Sequence, residues 1–257
     1  MTQKTNLRIA LVTGASSGFG RAICTRLIAD GYVVIAAARR IDRLQQLQDE
    51  LGSNLYPLEL DVRDLDSVAR IKEIIPEHLS DIDLLINNAG LALGIDPAQK
   101  ASLNDWLTMI ETNVIGLTCM THAILPGMVK KQSGHIINIG SIAGKYPYPG
   151  GNVYGATKAY VAQFSLNLRA DLAGTCVRVS DVQPGLCGGT EFSAVRFHGD
   201  SEKANALYAN VEPILPADIA ETVAWVAALP KHVNINTIEL MPTAQSFSAL
   251  QITRNIK

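Results

Sequence analysis

Short, continuous runs of apolar residues alternate along this chain with segments of helical character. Strands are predicted at Leu7–Val12, Tyr32–Ala37, Leu55–Leu60, Asp83–Ile86, His135–Ile139, Cys176–Val182 and Thr237–Leu240. Helices are predicted at Gly18–Asp30, Asp42–Leu51, Asp64–Ile75, Leu103–Lys131 with an interruption near Asn113, Asn152–Ala173 and Pro216–Leu229. Strands that are apolar throughout, rather than at every second residue, indicate a sheet that is covered on both faces.

This alternation predicts the fold class. Helices between successive strands require parallel strands, and right-handed crossovers then favour an α/β, Rossmann-type, doubly wound parallel β-sheet flanked by helices. We expect a single domain over residues 1–257, since the chain has no Ser- or Pro-rich linker and no internal repeat. The segment at about 185–210 is too long for a simple connection, so it is a candidate lid over a binding site.

Composition narrows the class of partner. The chain has 257 residues, 47% of them hydrophobic, and a formal net charge of −2, so neither nucleic acid nor an anionic membrane is expected as partner. The longest apolar runs, such as Tyr32–Ala38, are too short to span a bilayer, and residues 1–8 lack an apolar signal core. Four cysteines and five histidines are scattered singly, which indicates reduced thiols, a cytoplasmic location and no metal site.

A glycine-rich turn follows the first strand and opens the first helix. Its sequence is Thr13-Gly14-Ala15-Ser16-Ser17-Gly18-Phe19-Gly20. Glycines permit a tight turn and close approach of the backbone, and a helix N-terminus attracts a pyrophosphate. The candidate cofactor residues here are Gly14, Ser16, Ser17, Gly18, Phe19 and Gly20. A plain strand-to-helix turn is the alternative.

Two arginines stand where the second strand ends. A dinucleotide site that prefers NAD carries Asp or Glu at this point, to bind the ribose 2′-hydroxyl. This chain has Arg39 and Arg40 instead. Their planar guanidinium groups suit a 2′-phosphate, so the expected cofactor is NADP(H).

The loops after the third and fourth strands add further candidates. Asp61 and Val62 follow the third strand, where an adenine ring would lie, and Asn88, Ala89 and Gly90 follow the fourth. Carboxyl ends of parallel strands form the ligand-binding edge of such a sheet.

Tyr154 and Lys158 are four residues apart in a predicted helix, with Ser141 thirteen residues upstream. Positions i and i+4 share one helix face, so a phenol and an ammonium can meet there. The ammonium favours phenolate, which lowers the pKa of the tyrosine toward working pH. Such a tyrosine can exchange a proton with a hydroxyl or carbonyl group, and Ser141 can donate to the same oxygen.

These motifs, in their order and spacing, resemble the short-chain dehydrogenase/reductase family. The resemblance rests on TGxxxGxG, NNAG, Asn113, Ser141, YxxxK and Pro184-Gly185, and it covers nearly the whole chain. It implies a nicotinamide cofactor, held in part by Tyr154, Lys158, Pro184 and Gly185, and interconversion of alcohols and carbonyls, usually by a homotetramer. It also implies that Tyr154 is the acid/base, that Lys158 tunes it, that Ser141 binds the substrate oxygen and that Asn113 positions a relay water.

A closer resemblance is to bacterial NADP-dependent 3-hydroxy acid dehydrogenases. The segments Asn88–Gly94, Gly150–Lys158, Gly188–Ser193 and Val233–Thr237 carry it. It implies a short hydroxy acid, such as serine, allo-threonine or 3-hydroxypropionate, or its carbonyl form as substrate. Reduction of sulfoacetaldehyde to isethionate is the alternative within the same chemistry, and a non-catalytic, nucleotide-sensing protein is the alternative of another class. Cys187 and Lys145 depart from the expected pattern.

An acidic substrate needs a cation near its reacting carbonyl. Arg196, in the expected lid, and Lys145, near Ser141, are the candidates, beside Ser141 and Tyr154 themselves. Gln245, near the C-terminus, is a candidate for closing the pocket from its own or a neighbouring subunit. Cys187 is expected to be a small buried apolar residue.

Overall fold

Seven parallel strands form the centre of residues 7–247, the part of the chain that the computed structural model describes. They are β1 (Arg8–Thr13), β2 (Tyr32–Ala38), β3 (Leu55–Glu59), β4 (Leu84–Asn87), β5 (Gly134–Ile139), β6 (Val177–Pro184) and β7 (Thr237–Leu240). Their order across the sheet is β3-β2-β1-β4-β5-β6-β7. The prediction of a Rossmann-type, doubly wound parallel sheet is therefore confirmed.

Helices cover both faces of this sheet. They are α1 (Gly18–Ala29), α2 (Ile41–Leu51), α3 (Leu65–Ala69), α4 (Ile71–Ile74), α5 (Leu103–Ile110), α6 (Leu117–Lys130), α7 (Asn152–Asp171), α8 (Phe192–Arg196), α9 (Ser201–Ala206) and α10 (Pro216–Ala228). Alternate residues of each strand enter opposite cores: Val12 packs with the core of α1, α2 and α10, and Leu11 with that of α3, α4, α6 and α7. This two-sided burial explains why the strands are apolar throughout.

Two helical predictions are refined by the structure. The helix predicted over residues 64–75 is two short helices, α3 and α4, because Arg70 leaves helical geometry with ψ of 14°. The helix predicted over residues 103–131 is interrupted at Asn113, as expected, by a π-helical segment, Glu111–Gly116, between α5 and α6. A π-segment shifts the helical hydrogen-bond pattern by one residue, a geometry that is frequent at functional sites.

The stretch from α5 through α6 is also the one described helix that is long and apolar enough to cross a membrane by length and composition alone. It has 28 residues, and 44% of its most apolar window is buried inside the protein. Met120, Ile124 and Met128 of this helix pack into the core beneath the sheet. We therefore interpret it as a core helix of the α/β fold.

The chain changes direction in the sheet between β1 and β4. From β1 the chain builds outward to β2 and β3, and it then returns to β4 on the other side. In an open parallel sheet, ligands bind outside the carboxyl ends of the strands at such a reversal. The glycine-rich turn after β1 and the loop after β4 lie side by side at this point.

Candidate active site

Glycine is required in the turn after β1. Gly14 and Gly18 have positive φ angles of 67° and 52°. A Cβ on Gly20 would collide with the carbonyl oxygen of Gly14. The backbone is therefore open to a ligand at the N-terminus of α1, where unpaired N–H groups and the helix dipole favour a pyrophosphate.

The loop after β4 is fastened to this turn. The side-chain amide of Asn88 donates to the carbonyl oxygens of Thr13, at 2.8 Å, and Gly14, at 3.2 Å. The hydroxyl of Thr13 in turn accepts from the backbone N–H groups of Asn88 and Ala89, both at 3.0 Å. These hydrogen bonds of Asn88 and Ala89 fix the distance between the turn after β1 and the loop after β4, which form two edges of one cleft. Gly90 follows them and leads toward the predicted catalytic residues.

Arg40 lies directly over the serines of the glycine-rich turn. Its guanidinium donates to the hydroxyl of Ser16, at 3.2 and 3.3 Å, and to that of Ser17, at 3.0 Å. It also pairs with Glu191 of the segment after β6, at 2.9 Å. Arg39, beside it, is exposed. A cation and two hydroxyls that converge on one point form a binding site suited to a phosphate.

Asp61 and Val62 lie where the adenine end of a dinucleotide is expected. Val62 is buried, whereas the Asp61 carboxylate accepts from two nitrogens of the Arg63 guanidinium, at 3.1 Å from Nε and 2.7 Å from the terminal nitrogen. The hydrogen bond with Arg63 lowers the pKa of Asp61. Asp61 is therefore ionised at neutral pH.

The residues present fit a bound NADP(H). The glycine cradle would hold the pyrophosphate, Arg39 and Arg40 the 2′-phosphate, and the loops at Asp61 and Asn88 the adenosine half. Phe19 packs against the core beneath the cradle. Pro184 ends β6 and Gly185 follows it at the same edge of the sheet, where they would border the nicotinamide.

Tyr154 and Ser141 face each other at the carboxyl ends of β5 and β6. Tyr154 is buried, and burial raises the pKa of its phenol above the ordinary value, although contact with the Ser141 hydroxyl lowers it in part. The Ser141 hydroxyl accepts from the N–H of Ala143 at 3.1 Å, which orients it. The two hydroxyls can share one substrate oxygen.

Lys158 is held beside this pair and is also buried. Its ammonium donates to the carbonyl oxygen of Ile139 at 2.7 Å and lies 6.0 Å from the centre of the Tyr154 ring. Burial lowers the pKa of Lys158 to about 8, and the negative charge of Asp181 opposes that shift. The sequence predicted that Lys158 lowers the pKa of Tyr154. In the structure the pKa of Tyr154 is raised, because a desolvated phenol resists ionisation, and the groups that oppose this shift are Ser141 and Arg196 rather than Lys158.

Asn113 stands in the π-helical segment against the same cluster. Its side-chain amide donates to the carbonyl of Leu91, at 2.8 Å, and to the Thr157 hydroxyl, at 3.1 Å, and its oxygen accepts from the N–H of Leu91, at 2.9 Å. A Cβ on Gly90 would lie 3.2 Å from that oxygen and 3.6 Å from the Lys158 ammonium. Asn113 therefore joins the loop after β4 to α7, and its side chain has little capacity left for a ligand.

Arg196 reaches the site from the irregular segment after β6. This segment contains α8 and α9, and Arg196 ends α8. Its guanidinium donates to the Tyr148 hydroxyl at 2.8 Å and to the carbonyl of Gly94 at 3.3 Å. It lies 5.8 Å from the centre of the Tyr154 ring. The segment thus places a half-buried cation within reach of a substrate at Tyr154.

Lys145 and Gln245 have different surroundings. The Lys145 side chain is 59% exposed and its ammonium pairs with Glu239 at 3.1 Å. The Gln245 side-chain oxygen accepts from the N–H of Leu186 at 2.7 Å, so Gln245 fixes the loop after Pro184 within its own chain. Burial raises the pKa of the Cys187 thiol to about 12, which makes it unreactive at neutral pH.

Sequence reasoning missed several residues that the fold brings to this edge. The Tyr148 hydroxyl contacts Arg196. The Glu191 carboxylate pairs with Arg40 and also with Arg43, the latter at 2.7 Å. Thr190 packs against Gly18. Phe192 meets the Tyr154 ring at 5.9 Å between ring centres. The order of residues carried no signal for the ion pairs of Glu191, since its partners lie about 150 positions earlier.

A Rossmann-type fold with a glycine cradle and a Ser-Tyr-Lys cluster defines a nucleotide-dependent oxidoreductase. Comparison with known families agrees: the family model described as short chain dehydrogenase matches residues 8–200. The chain belongs to the short-chain dehydrogenase/reductase family.

Individual relatives are similar over nearly the whole chain. The NADP-dependent 3-hydroxy acid dehydrogenase YdfG of Salmonella typhi is 59% identical over 96% of this chain and 100% of its own. The serine 3-dehydrogenase of Agrobacterium fabrum is 49% identical over 95% of this chain and 97% of its own. The solved closed form of a serine dehydrogenase complexed with NADP⁺ is 58% identical, with a TM-score of 0.95 over 96% of this chain and 100% of that one.

Proposed function

We propose that this protein is an NADP-dependent dehydrogenase that interconverts a short 3-hydroxy acid and its carbonyl form. Two lines of support converge. Relatives that are 49–59% identical are named as 3-hydroxy acid and serine dehydrogenases. The observation that carries the substrate class is Arg196, whose guanidinium lies 5.8 Å from the ring of Tyr154. A carboxylate one or two carbons from the reacting carbon would reach it.

The proposed chemistry divides among four residues. Tyr154 gives a proton to the substrate oxygen during reduction and takes it back during oxidation. Ser141 donates a second hydrogen bond to that oxygen and stabilises the negative charge that develops on it. Lys158 supplies positive charge near the phenol, and Asn113 fixes the π-helical backbone, which we propose to hold a relay water. The bound nicotinamide supplies or accepts the hydride.

NADP(H) is the cofactor that this cleft suits. Arg40 with Ser16 and Ser17 forms the proposed 2′-phosphate site, and Arg39 adds a second positive charge. The sequence has no Asp or Glu at positions 37–41, where a site for NAD would bind the free ribose hydroxyl. Two of the three relatives named above, the 3-hydroxy acid dehydrogenase of Salmonella typhi and the solved serine dehydrogenase, carry NADP in their descriptions, in agreement with this choice.

Arg196 is proposed to hold the substrate carboxylate, with Tyr148 keeping the guanidinium in place. Its site excludes much of the solvent, and an ion pair in such a place is stronger than one in water. Lys145 is more exposed and already pairs with Glu239, so we propose at most a minor role for it. We see nothing in the site that favours a tetrahedral sulfonate over a planar carboxylate.

Replacement of Arg196 tests the substrate class. We expect Arg196→Ala to raise KM at least ~10-fold for 3-hydroxypropionate or serine, since a charged hydrogen bond contributes about 1.5–3 kcal/mol. KM for a neutral alcohol of the same size is expected to change little. Lys203→Ala removes a cation from the same segment that is 70% exposed and pairs with Asp200, so it serves as the matched control. Equal losses on acidic and neutral substrates in Arg196→Ala would show a purely structural role.

We further propose a homotetramer in the cytoplasm. Large apolar side chains stand exposed on two surfaces: Leu103, Leu107, Ile115 and Leu166 around α5, α6 and α7, and Trp225 on α10. The apolar surface on α5, α6 and α7 suits one two-fold contact, and the exposed Trp225 is the proposed centre of a second, as a tetramer with two kinds of two-fold contact requires. The four cysteines are free thiols, in keeping with a reducing compartment. Sedimentation equilibrium tests the assembly: a tetramer is expected, and a stable monomer would contradict the proposal. Cell fractionation tests the location.

A further inference from the structure

Asp181 is a buried carboxylate to which the proposed mechanism assigns no role. It lies in β6, is 1% exposed and stands three residues before Pro184. One carboxylate oxygen accepts from the side-chain amide of Gln183 at 2.6 Å. The other, Oδ1, receives no well-formed hydrogen bond within residues 7–247, although the backbone N–H of Gly140, which donates to the carbonyl of Val182, lies close enough to lower the pKa of Asp181. Such a group is costly to bury unless an opposite charge compensates it.

The position of Asp181 relates it to the catalytic cluster. A Cβ on Gly140 would collide with Asp181 Oδ1, so the carboxylate lies against the backbone between Ile139 and Ser141. Lys158 donates to the carbonyl of Ile139 at 2.7 Å, on that same stretch of backbone. The carboxylate and the ammonium are therefore near neighbours, although they form no direct salt bridge.

The charged form of Asp181 is the one that its contacts favour. The neighbours of its two oxygens are donors or a cation, namely the side-chain amide of Gln183, the backbone N–H of Gly140 and the ammonium of Lys158. Burial raises the pKa of Asp181 above its ordinary value, and the Gln183 hydrogen bond, the positive charge of Lys158 and the backbone N–H of Gly140 oppose that shift. The other ionisable groups facing Tyr154 and Lys158 are Tyr148, Cys187 and Arg196.

We propose that Asp181 is a positioning residue that acts through Lys158: its charge keeps the buried ammonium protonated and fixed on the carbonyl of Ile139. This inference rests on the proposed roles of Tyr154 and Lys158. A nearby negative charge favours the protonated forms of both the phenol and the ammonium. Without it, the pair loses its first proton at lower pH.

The pH profile of carbonyl reduction tests the proposal. Reduction needs protonated Tyr154, so its rate falls on the alkaline side. In Asp181→Asn, which preserves shape, we expect this alkaline limb to move to lower pH by on the order of one unit. Asp83→Asn removes the same charge at the opposite end of the sheet, just before β4, and is expected to leave the limb in place. If the Asn variant fails to fold, Asp181→Ser removes the same charge, and the alkaline limb is measured in that variant instead.

Thermal unfolding provides a readout that does not depend on turnover. Lys158→Met leaves the carboxylate of Asp181 without its compensating charge, so the melting temperature should fall. Adding Asp181→Asn to Lys158→Met should restore part of this loss, whereas Asp181→Asn alone should not stabilise the protein. Additive effects of the two substitutions would contradict the charge coupling.

The outcomes separate this inference from the proposed function. A lower rate at every pH with an unmoved limb would reduce Asp181 to a structural residue and leave the roles of Tyr154 and Lys158 intact. Retention of most activity by Tyr154→Phe would overturn those roles, and the inference with them. A shifted limb together with non-additive melting temperatures supports Asp181 as proposed.

Discussion

Arg40 offers a sharp test of cofactor choice, because its contacts define where a 2′-phosphate would bind. The guanidinium meets Ser16, Ser17 and Glu191 over the glycine-rich turn. Arg40→Ala removes the donors of this site but leaves the glycine cradle unchanged. Binding of NADP(H) should therefore weaken, and binding of NAD(H), which has no 2′-phosphate, should change little.

The structure sets the expected size of this effect. A hydrogen bond to a charged group contributes about 1.5–3 kcal/mol, which corresponds to roughly 10- to 100-fold in affinity. The Arg40 side chain is 41% exposed, and it must exchange Glu191 for the phosphate. Screening by solvent and this exchange both reduce the gain. We therefore expect a loss near the lower end, about tenfold.

The assay compares kcat/KM for NADP⁺ and NAD⁺ with one hydroxy acid, and measures Kd for NADPH by its fluorescence. Arg26→Ala is the matched control, since it removes an arginine that is 31% exposed in the last turn of α1, at the end remote from the glycine-rich turn, and pairs with Glu221. Equal losses for both cofactors in Arg40→Ala would refute the phosphate site. Equal kcat/KM for the two cofactors in the unmodified enzyme would refute the assignment of NADP.

The proposed proton transfer leads to two further predictions. Tyr154→Phe should lower kcat by at least ~10²-fold while cofactor affinity stays nearly unchanged, because only the acid/base hydroxyl is lost; single-turnover rates and NADPH titration measure the two quantities. Lys158→Met should reduce both turnover and cofactor affinity in the same measurements, and an intact affinity would limit Lys158 to proton transfer.

The fold was predictable because its signals are local. Each strand is a continuous apolar run. In the turn at Gly14–Gly20, the glycines have a spacing that only a few backbone geometries require. The helix break at Arg70 was not predictable, since no Gly or Pro stands at that position. Pro76, which ends the same region, lies six residues further on.

The site was predictable in part, for the same reason. Tyr154, Lys158 and Ser141 occur in motifs whose spacing fixes their geometry, so the structure brings them together as expected. Arg40 meets residues that are 23 to 151 positions away, and Asp181 lies against Gly140 at the end of the neighbouring strand, so no local pattern reports these contacts. Burial also decides the direction of the Tyr154 pKa shift, and the depth of burial depends on the packing of the whole chain.

Oxidation of NADPH with a matched panel of carbonyl compounds tests the central claim most directly. The panel contains malonic semialdehyde, sulfoacetaldehyde and a neutral carbonyl compound of the same size. We predict that kcat/KM for malonic semialdehyde exceeds that for the neutral compound by at least ~10-fold, because only an anion can pair with Arg196. Since relatives are named as 3-hydroxy acid and serine dehydrogenases, malonic semialdehyde is also expected to be preferred over sulfoacetaldehyde, whose sulfonate can pair with Arg196 as well. A neutral compound that is reduced equally well, or a clear preference for sulfoacetaldehyde, would contradict the proposed 3-hydroxy acid dehydrogenase.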